Sequence, residues 1–300
     1  MRPFELSVPA SSANLGPGFD AIGLALELRV RASVQSALGF SISFRAGKYV
    51  PTNAGFENEI VRGMERVLGA GVRPNVAILV ENGVPLGKGL GASAAGAVLG
   101  IAIGAELAAE RPAMPELARH ACELEGHPDN ALPALLGGVI VAAMPEHAPP
   151  AYVRFAAPAG LAAVVVTPKI VLPTAAARAL LPASYDRKDV VFNIQRASLL
   201  AAALAHGDLG ALREASRDRI HQPYRAPLVP GFEEMLAFAM PDLCAIALSG
   251  AGPSVIALVT GSAGAIGAAM QGAFAREGIE SEAFSLAIAA EGVVIEPAPA

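Results

Sequence analysis

The stretch that decides the fold is Pro85-Leu86-Gly87-Lys88-Gly89-Leu90-Gly91-Ala92-Ser93-Ala94-Ala95. It follows a strand-like run at Asn75–Val80 and opens a long apolar run at Ala92–Ala109 that is typical of a buried helix. Glycine lets backbone N–H groups approach an anion closely, and a helix N-terminus adds unpaired donors with a partial positive charge. We therefore interpret the whole stretch as a cradle for phosphate groups.

Ser93 lies in the first turn of this predicted helix, where its hydroxyl could reach a phosphate-bound Mg²⁺. The alternative interpretation is a tight turn from strand to helix with a serine cap. The stretch is not a Walker loop, because no Gly-Lys-Ser/Thr sequence closes it.

A second segment, PASSANLGPGFD at Pro9–Asp20, lies between two strand-like runs at Phe4–Val8 and Ala21–Val34. We expect a loop over Ala10–Gly18, with Phe40–Phe44 as the hairpin partner of the second strand. A polar loop of this length between strands is unusual unless it has a function. Its candidates for holding a small polar substrate are Asn14 and Asp20. The alternative is a plain hairpin connection capped by serine and asparagine.

Two further segments are rich in glycine or in charge. The segment SGAGPS at Ser249–Ser254 joins two apolar strand-like runs, and it is either the lining of a pocket or a β-turn. The segment Glu123–Asn130 reads ELEGHPDN, which indicates either a polar pocket or a solvated helix end. We expect no zinc site here, because no second His or Cys stands at ligand spacing. Mg²⁺ needs only one or two carboxylates beside phosphate oxygens, and Glu125 could supply one.

Composition narrows the class of protein. The 300 residues are 53% hydrophobic and 16% charged, which indicates a globular chain, and the net charge of −5 without a basic tract argues against a nucleic-acid partner. The most apolar run contains Gly96, Gly100 and Gly104, and the chain has no tryptophan, so we expect no membrane span. The N-terminal residues lack the apolar core of a signal peptide, and Cys122 and Cys244 fit no metal spacing. We expect a cytoplasmic protein with reduced thiols.

The pattern of elements predicts the fold class. Strand-like and helix-like runs alternate irregularly after a hairpin, which favours an α+β fold in two lobes. The proline-rich link Pro145–Pro150 predicts one domain over residues 1–150 and a second over residues 151–300. The predicted helices are Glu57–Leu68, Ala92–Ala109, Pro115–Glu125, Thr174–Leu181, Val190–Ala205, Leu209–Asp218 and Ala263–Arg276, with a loop at Gly126–Asn130.

The three glycine-rich segments, in this order and spacing, resemble the motifs of the GHMP kinases. Within that family, SSANLGPGFD and EGHPDN are similar to the homoserine kinase branch, as are Ala177-Arg178 ahead of Leu181-Pro182 and IHQPYR at Ile220–Arg225. The resemblance covers nearly the whole chain. One departure is Ala92, where the family often has serine; it removes one hydroxyl from the predicted phosphate loop.

The resemblance implies an N-terminal lobe like domain 2 of ribosomal protein S5, a ferredoxin-like C-terminal lobe, and an active site between them. It implies transfer of a phosphoryl group from ATP to L-homoserine, giving O-phospho-L-homoserine for threonine biosynthesis. By motif position it implies Ser93 and Glu125 as Mg²⁺ ligands, the stretch Pro85–Ala95 as the ATP phosphate site, and Asn58 near the adenine. The implied substrate-pocket residues are Asn14, Asp20, His127, Asp129, Asn130, Arg178 and Arg225, of which Asp20, Arg178 and Arg225 are also the implied catalytic residues.

The charges of homoserine agree with this assignment. Its carboxylate suits the planar fork of Arg178 or Arg225, and its ammonium suits a carboxylate such as Asp20. Two alternatives stay open: a mevalonate-type kinase of the same family, and a sensor that kept the fold without turnover. A homodimer is compatible with the sequence. Because phosphoryl transfer needs little deprotonation before attack, we expect no dedicated general base among Asp20, His127 and Asp129.

Overall fold

The computed structural model describes residues 1–52 and 54–298. Its strands are β1 (Phe4–Asn14), β2 (Gly18–Ser36), β3 (Ser41–Phe44), β4 (Val76–Asn82), β5 (Val139–Ala143), β6 (Ala151–Phe155), β7 (Ala162–Pro168), β8 (Leu243–Leu248), β9 (Val255–Val259), β10 (Ser281–Ala287) and β11 (Val294–Pro297). Its helices are α1 (Gly55–Leu68), α2 (Ala92–Leu107), α3 (Met114–Glu125), α4 (Pro128–Leu136), α5 (Thr174–Ala179), α6 (Arg187–His206), α7 (Leu212–Ala215), α8 (Gln222–Arg225), α9 (Phe232–Leu236) and α10 (Ala263–Arg276).

The first lobe is built on a sheet with the strand order β11-β1-β2-β4-β3, to which β5 and β6 are added through β2. Helix α2 is buried on every side over residues 94–105, and it packs closely on α1. The close approach requires glycine: a Cβ on Gly100 would lie 1.9 Å from the backbone carbonyl oxygen of Ile60. The apolar run is therefore a buried helix, as predicted. Among the described residues, no helix has the length and apolar character needed to cross a bilayer.

The second lobe carries an antiparallel sheet in the order β10-β7-β9-β8. With α5–α9 between its first two strands and α10 between its last two, it has the βαββαβ order of a ferredoxin-like lobe. The face of α10 that packs on the sheet is apolar, and Ile266, Met270 and Phe274 are fully buried. The predicted two-lobed α+β fold is confirmed.

Several element predictions were wrong in ways that affect the site. The predicted loop at Ala10–Gly18 is mostly strand, because β1 continues to Asn14 and β2 starts at Gly18. The hairpin partner of β2 is β1, whereas Phe40–Phe44 contributes β3, which pairs in parallel with β4. The predicted loop at Gly126–Asn130 contains the start of α4, with Pro128 in the first turn, where its missing N–H costs nothing.

The sheet of the first lobe includes two strands from the second half of the chain. Strand β6 pairs with β5, and β11 pairs with β1, so both belong to the first sheet although both follow residue 150. The division into domains 1–150 and 151–300 stays a prediction, and residues 299 and 300 lie outside the described residues.

Candidate active site

The predicted phosphate loop joins β4 to α2. Gly87, Gly89 and Gly91 have φ angles of 66°, 75° and 64°, in the left-handed region. Left-handed residues alternating along a turn direct backbone N–H groups into one concavity, which is a geometry that binds anions. A Cβ on Gly87 would meet nothing within 4 Å, so this glycine leaves free space in front of the loop. Ser93, in the first turn of α2, is exposed. The local geometry therefore suits an oxyanion at the N-terminus of α2.

Hydrogen bonds hold the three glycine-rich segments against one another. The Ser249 hydroxyl donates to the carbonyl oxygen of Gly89 at 2.6 Å and lies 2.8 Å from the Ser12 hydroxyl. The Asn14 side chain donates to the carbonyl oxygen of Gly250 at 2.9 Å. Since residues 249–254 belong to the second lobe and the other segments to the first, the site is assembled at the contact between the lobes.

The tip of the β1–β2 hairpin is strained. Asn14, Leu15 and Asp20 have φ angles of 70°, 49° and 54°, which is uncommon for non-glycine residues. The Asn14 side-chain oxygen accepts a hydrogen bond from the backbone N–H of Asp20 at 3.0 Å. Such strain concentrates at functional sites, where the surrounding structure holds the backbone in place. Here it directs the Asp20 carboxylate towards the second lobe.

Asp20 and Arg178 form a bidentate ion pair, with N–O distances of 2.7 and 2.8 Å. The hydrogen bond and charge of Asp20 raise the pKa of Arg178. The two residues that were predicted to bind opposite ends of a substrate thus bind each other. A ligand carrying both an anion and a cation could replace each partner of this pair with its own charged group.

Arg225 has only 1% of its surface exposed, and its guanidinium contacts neutral acceptors. These are the carbonyl oxygens of Ala177 and Gly250, each at 3.4 Å, and Nδ1 of His221 at 3.0 Å. Burial and the charge of Arg178 lower the pKa of Arg225. Among the described residues, no carboxylate lies within ion-pair distance of this guanidinium. A buried cation in this state offers a binding position for an anionic ligand.

Phe19 lies beside both arginines in the lining of the pocket. The guanidinium carbons of Arg178 and Arg225 both lie 5.3 Å from its ring centre. His221 stacks on the same ring, with the ring centres 5.2 Å apart. The aromatic ring thus fixes the spacing of the two cations.

The start of α4 supplies a second polar wall. Nδ1 of His127 lies 2.6 Å from a carboxylate oxygen of Asp129. Burial opposes protonation of His127, but the hydrogen bond and charge of Asp129 outweigh it and raise the pKa of the imidazole. The Ser11 hydroxyl donates to the side-chain oxygen of Asn130 at 2.9 Å. This bond fixes the amide orientation and leaves the NH₂ group of Asn130 free to act as a donor.

Glu125 and Ser93 form a donor set that fits a hard divalent cation. Burial raises the pKa of Glu125, and the neighbouring carboxylates of Glu59 and Asp129 add to this effect. The charge of His127, whose Nε2 lies 3.9 Å from a carboxylate oxygen of Glu125, acts in the opposite direction, as does a hydrogen bond from the hydroxyl of Ser93. A divalent cation would offset both the burial and the repulsion, and its other ligands would be phosphate oxygens and water. Asp20, His127 and Asp129 also converge within 4.8 Å, but both of these carboxylates already have a partner.

These groups line one cavity of about 120 Å³. Asn58 lies on an exposed part of α1 and outside this lining. The residues that the structure brings together are Asn14, Asp20, Gly87, Lys88, Gly89, Gly91, Ala92, Ser93, Glu125, His127, Asp129, Asn130, Arg178 and Arg225.

Lys88 is oriented differently from a phosphate-binding lysine. Its ammonium donates to the carbonyl oxygen of Pro168 at 3.0 Å and to that of Ile170. Burial lowers the pKa of this ammonium. In this conformation Lys88 ties the phosphate loop to the second lobe.

Two family descriptions match the chain. "GHMP kinases N terminal domain" matches residues 58–138, and "GHMP kinases C terminal" matches residues 200–276. A homoserine kinase from Moorella thermoacetica is 40% identical over 292 residues, which cover 96% of this chain and 98% of that protein. The chain belongs to the homoserine kinases of the GHMP kinase family. A second homoserine kinase, from Solibacter usitatus, is 41% identical and covers 84% of each chain.

Solved structures of the family agree in fold. The crystal structure of homoserine kinase from Cytophaga hutchinsonii superposes with a TM-score of 0.83 at 26% identity, covering 98% of both chains. Mevalonate kinase from L. major, in complex with R-mevalonate, superposes with a TM-score of 0.68 at 16% identity, which shows the shared fold alone. As a member of this family the chain is a kinase that uses ATP.

Sequence reasoning gave no role to some residues that shape the site. Ser12 and Ser249 join two of the glycine-rich segments, and Ser11 joins β1 to Asn130 of α4. His221, whose backbone N–H donates to Asp218, contacts the guanidinium of Arg225. The sequence shows that these positions are rich in polar residues. It does not show their hydrogen-bond partners, because those partners lie far away along the chain. Ser12 and Ser249 are separated by 237 positions along the chain.

Proposed function

We propose that this chain transfers the γ-phosphoryl group of ATP to the side-chain hydroxyl of L-homoserine, giving O-phospho-L-homoserine for threonine biosynthesis. The observation that carries the proposal is the buried guanidinium of Arg225, for which the described part of the chain offers no carboxylate partner, in a cavity that reaches Gly87–Gly91. The curated relatives named above support the choice of substrate.

The substrate pose follows from charge. The carboxylate of homoserine would lie against Arg225 and Arg178, and the ammonium against Asp20. Binding would then exchange the Asp20–Arg178 ion pair for two new ion pairs, so that each charged group keeps a partner. An uncharged alcohol cannot make this exchange, which would favour an amino acid over a sugar.

The phosphate side would use the rest of the cavity. The N–H groups of the loop and of the first turn of α2 would hold phosphate oxygens, and Ser93 and Glu125 would hold Mg²⁺. When bound, Mg²⁺ neutralises charge on the transferring phosphoryl group. The NH₂ group of Asn130 is free to orient the attacking hydroxyl.

No dedicated general base is part of this proposal. Asp20 is paired with Arg178, and Asp129 with His127, so each carboxylate has a binding role in the site. A loose phosphoryl-transfer transition state needs little proton removal before attack. The proton of the hydroxyl would leave late, to a phosphate oxygen.

The test is an ADP-release assay with homoserine, mevalonate and galactose as acceptors. We expect turnover with homoserine. For mevalonate and galactose we expect kcat/KM to be lower by about 100-fold or more, which corresponds to about 2.7 kcal/mol. Faster turnover of mevalonate would assign the chain to the mevalonate-type alternative. Tight binding of homoserine without ADP release would support a non-catalytic sensor. A cytoplasmic location and a homodimer are further proposals, which fractionation and light scattering would test.

A further inference from the structure

His221 is a completely buried side chain to which the proposed mechanism gives no part. Its Nδ1 lies 3.0 Å from Nη1 of Arg225, and its Nε2 lies 2.7 Å from the carbonyl oxygen of Gly16. The imidazole therefore joins a proposed substrate ligand to the hairpin tip that carries Asn14 and Asp20.

The partners of the two ring nitrogens determine the tautomer. A guanidinium only donates hydrogen bonds, so Nδ1 must accept from Arg225. A carbonyl oxygen only accepts, so Nε2 must carry the proton that it donates to Gly16. An imidazolium would direct an N–H group at the N–H group of Arg225. The network is thus satisfied only by a neutral ring protonated on Nε2.

The charges around His221 are consistent with a neutral ring. Burial lowers the pKa of His221, and the charge of Arg225 lowers it further. The carboxylates of Asp218 and Asp20 act in the opposite direction and raise it. Asp218 is occupied: it accepts hydrogen bonds from the backbone N–H groups of His221 and Gln222 at 3.0 and 2.6 Å. These bonds fix the backbone of the short helix α8, which carries Arg225.

We propose that His221 is a positioning residue, which holds the Arg225 guanidinium in the orientation that binds the substrate carboxylate. The inference rests on the proposed function, since it assigns that carboxylate to Arg225. Because Nδ1 accepts one N–H group of the guanidinium, the guanidinium cannot rotate freely, and its remaining N–H groups are held in fixed directions. Preorganised donors of this kind lower the cost of ordering the site on binding.

Two substitutions separate the two bonds of the ring. In His221→Asn, the amide oxygen can take the place of Nδ1 and accept from Arg225, whereas the bond to Gly16 is lost. In His221→Gln, the longer amide can take the place of Nε2 and donate to Gly16, whereas the acceptor for Arg225 is lost. We expect His221→Gln to raise the KM for homoserine about tenfold or more, because the lost bond involves a charged donor. The KM for ATP should change by less than about twofold, and His221→Asn should stay within about threefold of the wild type for homoserine.

The same substitutions on an Arg225→Lys background provide the control. If His221 acts through the guanidinium, His221→Gln will add little to the effect of Arg225→Lys on the KM for homoserine. Additive effects, or equal effects of the Asn and Gln variants, would show a purely structural role and overturn the inference.

Nitrogen NMR of the wild-type protein, labelled at histidine, tests the inference without a substitution and without substrate. A neutral His221 ring protonated on Nε2 supports the proposal, and an Nδ1–H tautomer or an imidazolium at pH 7 refutes it, even where neither variant folds. The proposed function is judged separately, by whether the wild-type protein binds and phosphorylates homoserine.

Discussion

Gly87 and Gly89 offer a direct test of the phosphate loop, because they share a backbone conformation and differ in surroundings. Both have φ in the left-handed region, so alanine costs about 1–2 kcal/mol at either position. A Cβ at position 87 enters free space in front of the loop. A Cβ at position 89 would lie 2.3 Å from the carbonyl oxygen of Ser249 and 2.8 Å from that of Gly252. These are backbone atoms of the second lobe and cannot move aside on their own.

The two variants should therefore fail in different ways. Gly89→Ala adds an overpacking cost of about 1–3 kcal/mol to the conformational cost, so we expect a clear loss in the free energy of unfolding. Gly87→Ala should lose only the conformational part. However, its methyl group occupies the space where a phosphate would approach the backbone, so we expect the KM for ATP to rise about tenfold or more, equivalent to about 1.4 kcal/mol.

Gly71→Ala is the matched control. Gly71 has a φ angle of 75° with nothing within 4 Å of a Cβ, and it lies in the turn after α1. It should share the stability loss of Gly87→Ala and leave the KM for ATP unchanged. Denaturant unfolding and steady-state kinetics on the three variants provide the comparison. An unchanged KM for ATP in Gly87→Ala would refute a phosphate site in front of this loop.

Three other outcomes are expected. Ser93→Ala and Glu125→Ala should each lower kcat about 10²–10³-fold, a loss of about 3–4 kcal/mol; near-normal turnover in both would remove them from the metal site. Arg225→Ala should raise the KM for homoserine about 10–150-fold with little change for ATP, because a charged hydrogen bond is worth about 1.5–3 kcal/mol; weaker ATP binding instead would place Arg225 on the nucleotide side. Replacing each titratable candidate in turn should reveal no general base, whereas a kcat loss above about 10³-fold with the acid limb of the pH–rate profile abolished would identify one. These replacements are Asp20→Asn, His127→Gln and Asp129→Asn.

The local sequence was sufficient to predict those elements whose bounds depend only on their own residues. Helix α10 was predicted with the bounds that the structure shows, since Ala263–Arg276 has helical spacing and clear ends. The connection between a strand and an apolar helix at Gly87–Gly91 was also predicted from its own residues, whereas its role in binding phosphate stays a prediction.

Elements that depend on distant partners were predicted less well. Helix α4 was read as a loop at its start, because Gly126 and Pro128 are breakers in most contexts. The parallel pairing of β3 with β4 cannot be inferred from the alternation of either strand. Within the candidate site, the types of residue could be predicted from the sequence. The pairing of Asp20 with Arg178 could not, because 158 positions separate them.

The pairing of β11 with β1 has a consequence for how the chain is made. Strand β1 precedes β11 in the chain, so it leaves the ribosome first, and nine of the described strands are made between the two. Until β11 arrives, one edge of β1 has its N–H and C=O groups unpaired, and such an edge can pair with other chains. The sheet that positions Asn14 is thus completed only after the second lobe has been synthesised. A nascent chain of this kinase would benefit from a chaperone that covers this edge, and slow synthesis of the second lobe would favour aggregation over activity.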